Sequence, residues 1–179
     1  MRFIAFLRAI NVGGHTVTMA ELRRHFTTLD LEEVETFIAS GNVVFRSSAR
    51  NPGVLERRIE DHLLVALGYE VKTFLRTEAE VAAIARYQPF TAAQRRVAAA
   101  LNVGFLYGPL GASARKVLMG MKTAIDDFHL HGRELYWMCR KQQSESTFTN
   151  VQFERQVQVR TTFRGVNTIV RLAAKYGLA

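Results

Sequence analysis

One cysteine, three prolines and one tryptophan occur in 179 residues. A single thiol excludes an internal disulfide framework. No apolar run approaches the roughly 18 residues of a membrane span. The opening MRFIAFLRAI is interrupted by Arg8 and has no small-residue cleavage site, so neither a signal peptide nor an anchor is expected, and a cytoplasmic location is. Acidic side chains are the scarcer sign, 16 Asp and Glu against 24 Lys and Arg, for a formal net charge of +8. What is present is ordinary for a folded chain. Hydrophobic residues are 48% and charged residues 22%, which excludes intrinsic disorder. The length suits one large domain or two small ones.

The charge is unevenly placed. Residues 1–77 carry ten Lys and Arg and nine Asp and Glu, whereas residues 78–179 carry fourteen and seven, so +7 of the +8 lies in the second part. A one-sided basic field concentrates anionic partners. The pairs Arg23-Arg24, Arg57-Arg58 and Arg95-Arg96 fall in helical patterns, several beside acidic residues, which fits a solvated surface. Nucleic acid is a possible partner on charge alone but not the favoured one.

Local signals give an element order. Residues 2–9 read as a strand, followed by the turn-rich INVGGHTV. Thr18 and Glu21 make a capping box, which starts a helix at Met19. Residues 34–38 alternate as a strand, Ser40-Gly41-Asn42 is a turn, and 43–45 is the returning strand. Asn51-Pro52 reads as a helix cap followed by proline in the first turn, and Gly68 as the stop. Residues 70–75 make a fourth strand. The order βαββαβ is that of a ferredoxin-like unit. A linking helix capped by Thr77 and Glu80 follows. Then come a strand at 98–107, a helix from Pro109, a hairpin turned at His131-Gly132, a helix at 146–156, a strand near 158–162 and a closing helix from 165. The predicted class is therefore α+β: two tandem ferredoxin-like units, with antiparallel sheets and helices on one face. Their predicted extents are 1–77 and 97–179, joined by a connecting helix and linker at 78–96. The duplication rests on element order alone, with no residue-level repeat.

Few residues declare a chemistry. The loop after the first strand carries Asn11, Gly13 and Gly14 ahead of a capped helix, a generic anion-receiving arrangement, with Arg8 placed to add a bidentate contact. The pattern is neither a dinucleotide fingerprint nor a phosphate-binding loop, because the required glycine spacing and Lys-Ser/Thr are missing. A tight connection explains the same residues. Ser40 and Asn42 read as hairpin residues. Thr147, Thr149, Thr161 and Thr162 read as caps, whereas Asn150, Arg164 and Asn167 are less simply explained. The five histidines show no metal-ligand spacing, and Cys139 reads as a small core residue. No nucleophile or general base stands out. The residues call for no cofactor and no metal.

Three stretches together resemble a known family. FLRAINVGG (6–14), MAELR (19–23) and TFIASGNVVF (36–45) are similar to the hallmark of the bacterial domain-of-unknown-function family 1697. RELYWM (133–138), FTN (148–150) and TTFRGVNTIVRLA (161–173) are similar to its later segments. The resemblance implies a fold of two tandem ferredoxin-like units, and the family name carries no activity. It also departs in places. The family usually has Gly at Ala9, a basic residue at His15, Gln at Ala39 and Lys at Thr147, and Asn-Trp in place of Gly165-Val166.

The expectation from the residues and the resemblance together is a small anionic ligand, bearing phosphate or carboxylate, in a cleft between the two units. Arg8 and Arg164 would contact the anion, Gly13 and Gly14 would cradle it, and Asn11, Ser40, Asn42, Asn150 and Asn167 would line the cleft. An enzyme using the same cleft for phosphoryl or acyl transfer, and a protein-interaction module, are the alternatives. The oligomeric state is open.

Overall fold

The computed structural model describes residues 1–38 and 41–177. The chain divides into two compact units, Met1–Ala83 and Ile84–Gly177. With that division Glu78 and Glu80 join the first unit. The first unit then has a net charge of −1 and the second +9.

The first unit contains β1 (Arg2–Arg8), α1 (Met19–Thr27), β2 (Glu32–Thr36), β3 (Asn42–Arg46), α2 (Pro52–Leu67) and β4 (Lys72–Thr77), and α3 (Glu78–Arg86) straddles the division. Its sheet runs β2-β3-β1-β4 with every neighbour antiparallel. Alternation sets the core. Phe3, Ala5 and Leu7 of β1 meet Val43 and Phe45 of β3, and Leu22 and Phe26 of α1 pack there with Leu55, Ile59 and Leu63 of α2. Each large apolar side chain buried in this way contributes on the order of 1.5–3 kcal/mol. The caps read from sequence form. Thr18 and Glu21 bond reciprocally, Asn51 Oδ1 accepts from Val54 N–H at 3.2 Å, and Gly68 turns left-handed at φ +80°. Two strands lie two residues from their expected positions, β2 at 32–36 and β4 at 72–77. For β2 the irregularity is local, because Glu33 takes φ +48° and the β2–β3 register shifts beside it.

The second unit contains α4 (Ala92–Arg96), β5 (Ala100–Phe105), α5 (Ala112–Gly120), β6 (Asp126–His131), β7 (Glu134–Cys139), α6 (Asn150–Val157), β8 (Thr162–Gly165) and α7 (Val166–Lys175), with a 3-10 turn at 143–145. Its sheet runs β6-β7-β5-β8, again antiparallel throughout. The strand order thus repeats that of the first unit position by position. The protein is a mixed α+β fold with two four-stranded antiparallel sheets and, among the described residues, seven α-helices. Three boundaries differ from expectation. α5 begins at Ala112 rather than at Pro109, because Gly111 takes the extended cap conformation. α6 begins at Asn150, where Thr149 Oγ1 accepts from Gln152 N–H, rather than at 146. β8 begins at Thr162 rather than near 158.

One device recurs in both units. Backbone donors on an edge strand are costly if left unmet and invite foreign strands. Glu56 of α2 accepts from Leu75 N–H of β4 at 2.8 Å, and Glu60 accepts from Thr73 N–H at 2.8 Å. In the second unit Glu154 of α6 accepts from Thr161 N–H, beside β8, at 2.8 Å. Glu56 and Glu154 are both buried. No helix among the described residues is long and apolar enough to cross a membrane.

Candidate functional site

In the first unit Arg8, Asn11, Gly13, Gly14 and Asn42 belong to the end of the sheet where β1 leaves and β3 enters. Arg8 is half-buried and lies opposite Lys72 in the β1–β4 ladder. Asn11 closes its own loop: its Oδ1 accepts from Val17 N–H at 2.7 Å and its Nδ2 donates to Val17 O at 3.4 Å. Gly13 and Gly14 are exposed with φ of +63° and +85°. Tyr69 donates to Ile10 O at 2.7 Å, and the His15 ring stacks on Tyr69 with centroids 4.0 Å apart. At Gly41 a Cβ would fall 2.8 Å from Ile10 Cγ2, so the hairpin turn and the loop after β1 touch. Asn42 is fully buried, and its Nδ2 donates to Phe37 O at 3.1 Å inside the hairpin. Ser40, with Ala39, lies outside the described residues. The first-turn donors of α1 are met from within: Glu21 N–H donates to Thr18 Oγ1 at 3.2 Å, and Glu21 Oε2 accepts from Thr18 N–H at 2.8 Å.

In the second unit Asn150, Arg164 and Asn167 occupy three elements. Asn150 Nδ2 donates to Thr161 O at 3.1 Å, and its buried Oδ1 has no partner among the described residues. Arg164 Nη1 donates to Thr162 Oγ1 and to Phe163 O, both at 2.8 Å. Arg164 is half-buried, and burial pushes its pKa down to about 10. It stays charged at neutral pH. Asn167 is exposed in the first turn of α7. Cys139 is buried, and burial raises the thiol pKa, the environment of an inert core cysteine.

A groove of about 570 Å³ lies between α5 and α6 of the second unit. Lys116, Val117 and Gly120 come from α5, with Met121, Lys122 and Thr123 just after it. Thr147 and Phe148 precede α6, which supplies Gln152 and Gln156 one turn apart. The floor is firm because Phe148 is an aromatic hub, with ring centroids 4.6 Å from Phe128, 4.9 Å from Trp137 and 6.0 Å from Phe153. Among the described residues no carboxylate lines this groove. Lys122 pairs with Asp127 at 2.6 Å, while exposed Lys116 makes no ion pair among the described residues. Sequence reasoning named Thr147 and Phe148 without joining them to the α5 lysines. The available signal was the basic excess of the second half.

A second cluster uses side chains set aside as non-metal histidines. Tyr87 Oη and His129 Nε2 are 2.8 Å apart, and the Tyr87 ring stacks on His131 with centroids 4.2 Å apart. Burial, followed by the neighbouring charges of His131, Lys122 and Arg115, lowers the His129 pKa. Among the described residues no group of three or more His, Cys, Asp or Glu could hold a metal.

Fold and sites together define a two-unit α+β protein with a basic second unit and a polar, lysine-lined groove. The chain belongs to the family described as "Protein of unknown function (DUF1697)", whose model matches residues 1–136. The segments 148–150 and 161–173 lie beyond that span. The chain is similar in fold to the conserved bacterial protein SP0830 from Streptococcus pneumoniae, at 24% sequence identity and a TM-score of 0.71, with 97% of each chain covered. No curated protein matches the chain.

Proposed function

We propose that this protein binds a small anionic ligand in the α5/α6 groove of its second unit, and that both units are ferredoxin-like. The order βαββαβ, with strands arranged β4-β1-β3-β2 and β8-β5-β7-β6, supports the topology. The observation that carries the ligand reading is the lining of the groove. Two lysines and four uncharged hydrogen-bonding side chains, Thr123, Thr147, Gln152 and Gln156, face about 570 Å³ with no carboxylate among them. That volume falls in the ~300–1,000 Å³ range of small-molecule sites. The surrounding +9 unit adds a long-range field that draws anions toward it. The glycine loop of the first unit offers an anion less, since Thr18 and the Glu21 carboxylate already occupy the start of α1.

The test is a thermal-shift screen across nucleotides, sugar phosphates and acyl-CoAs. One class should raise the melting temperature, with a stabilisation of about 2.7 kcal/mol at 100-fold saturation. The double variant K116A/K122A should lose that shift while its apo melting temperature changes little. A shift that survives in the double variant, or no shift in any class, refutes the reading. Comparable affinity for every polyanion, with a steep log-linear salt dependence, would transfer the groove to nucleic-acid backbone.

A further inference from the structure

The lysine-lined groove does not end at its lysines. A second pocket of about 220 Å³ shares Thr123 and Thr147 with it and is otherwise lined by Ala124, Ile125, Asp126 and Glu145. Across these two adjoining pockets the charge therefore reverses, from two ammonium groups in one to two carboxylates in the other.

Asp126 is the telling residue. It is 1% exposed. Its Oδ1 accepts from Trp137 Nε1–H and from Ser146 Oγ–H, and its Oδ2 accepts from Thr123 Oγ1–H, each at 2.8 Å. These three donors are neutral. Among the described residues no Lys, Arg or His makes an ion pair with Asp126. A buried carboxylate away from water is costly unless a cation compensates it, and neutral donors meet only part of that need. The second carboxylate is held loosely. Glu145 is exposed; its Oε2 accepts from Gln142 N–H at 3.1 Å, while its Oε1 pairs with Lys141 at 3.4 Å across two solvent-facing side chains, a contact worth little and readily exchanged.

We infer that the ligand of this groove is zwitterionic, with its anionic group at Lys116 and Lys122 and a protonated amine at Asp126 and Glu145. The inference rests on the groove reading above. Thr123 and Thr147 stand where the two ends meet. A hydroxyl both donates and accepts, so either can serve the anion or the ammonium. An ammonium has three donors and no acceptor, which matches a pocket whose charged groups are acceptors only.

The chemistry shared by the candidate ligands is one primary ammonium and one anionic group. Matched pairs separate the sources: O-phosphoethanolamine against ethyl phosphate, and γ-aminobutyrate against butyrate, followed by calorimetry or by amide chemical shifts of residues 116–126. At least one amine-bearing probe should bind tenfold or more tighter than its amine-free twin. In E145Q that ratio should fall severalfold, and in D126N it should collapse toward unity, while ethyl phosphate affinity does not fall in either. If D126N does not fold, E145Q carries the same readout. Equal binding of the twins, with both lost in K116A/K122A, overturns the zwitterion and leaves the groove reading standing. Binding that ignores K116A/K122A, or no binding of any probe, overturns both.

Discussion

Gly104 sits in β5 directly opposite Phe163 of β8, and one side of the Phe163 ring (Cδ1, Cε1 and Cζ) lies against it. A Cβ added at Gly104 would stand 2.7, 2.9 and 3.1 Å from three atoms of that ring. Ordinary carbon contacts lie near ~3.5–4.0 Å, so in Gly104→Ala the ring must retreat by about an ångström. Its retreat is limited by Trp137 and Phe148, whose centroids are 6.0 and 5.9 Å from that of Phe163. Overpacking of this kind costs about 1–3 kcal/mol, and relieving a strand glycine returns about 0.5–1 kcal/mol. The expected net loss is about 1–2 kcal/mol. Urea unfolding followed by circular dichroism measures it. In a Phe163→Leu background the same substitution should cost little or nothing, because the atoms it meets are gone. A neutral Gly104→Ala in the wild type, or an equal cost in both backgrounds, would refute the packing argument.

Three further perturbations have defined outcomes. Ala9 holds φ +63°, a conformation that costs a non-glycine residue about 1–2 kcal/mol, so Ala9→Gly should stabilise the first unit by about 1 kcal/mol in the same assay. Glu154→Ala leaves the buried Thr161 N–H without its acceptor and should destabilise by about 1–3 kcal/mol, with hydrogen exchange at Thr161 accelerated before that of β7; unchanged exchange would sink the assignment. His25 and His129 have pKa values below the ordinary histidine value, chiefly through burial. The unfolded chain binds protons near pH ~6.5 that the folded chain refuses, so this contribution is present above that pH and is lost as pH falls through the folded values. The urea midpoint should be lower at about pH 5 than at about pH 8, and H129Q should narrow the gap; a wild-type midpoint equal or higher at pH 5 would refute the sign.

The parts legible in the sequence were those written in short-range chemistry. Thr18 with Glu21, Thr77 with Glu80, and Asn51-Pro52 with Gly68 act within one helix, and the structure forms all of them. Strand limits were less legible where long-range partners help fix them. Glu56 and Glu60 hold β4, and Glu154 holds Thr161 just before β8, each from the helix that precedes the strand, and each strand lies a few residues from its expected place. The asparagines illustrate a different ambiguity. An Asn amide can imitate backbone, so Asn11 and Asn42 read equally as ligand donors or as loop closures, and each makes a side-chain hydrogen bond within its own loop. The groove was not legible, because Lys116 and Lys122 reach Gln152 and Gln156 only once α5 and α6 pack side by side.

The Trp137–Asp126 contact has an optical consequence. The chain holds one tryptophan, 7% exposed, and its indole N–H points at the carboxylate that lines the smaller pocket. A positive charge arriving there changes the field along the indole, and with it the emission of the only such fluorophore in the chain. The protein therefore carries its own label for occupancy of that pocket, readable without any added dye.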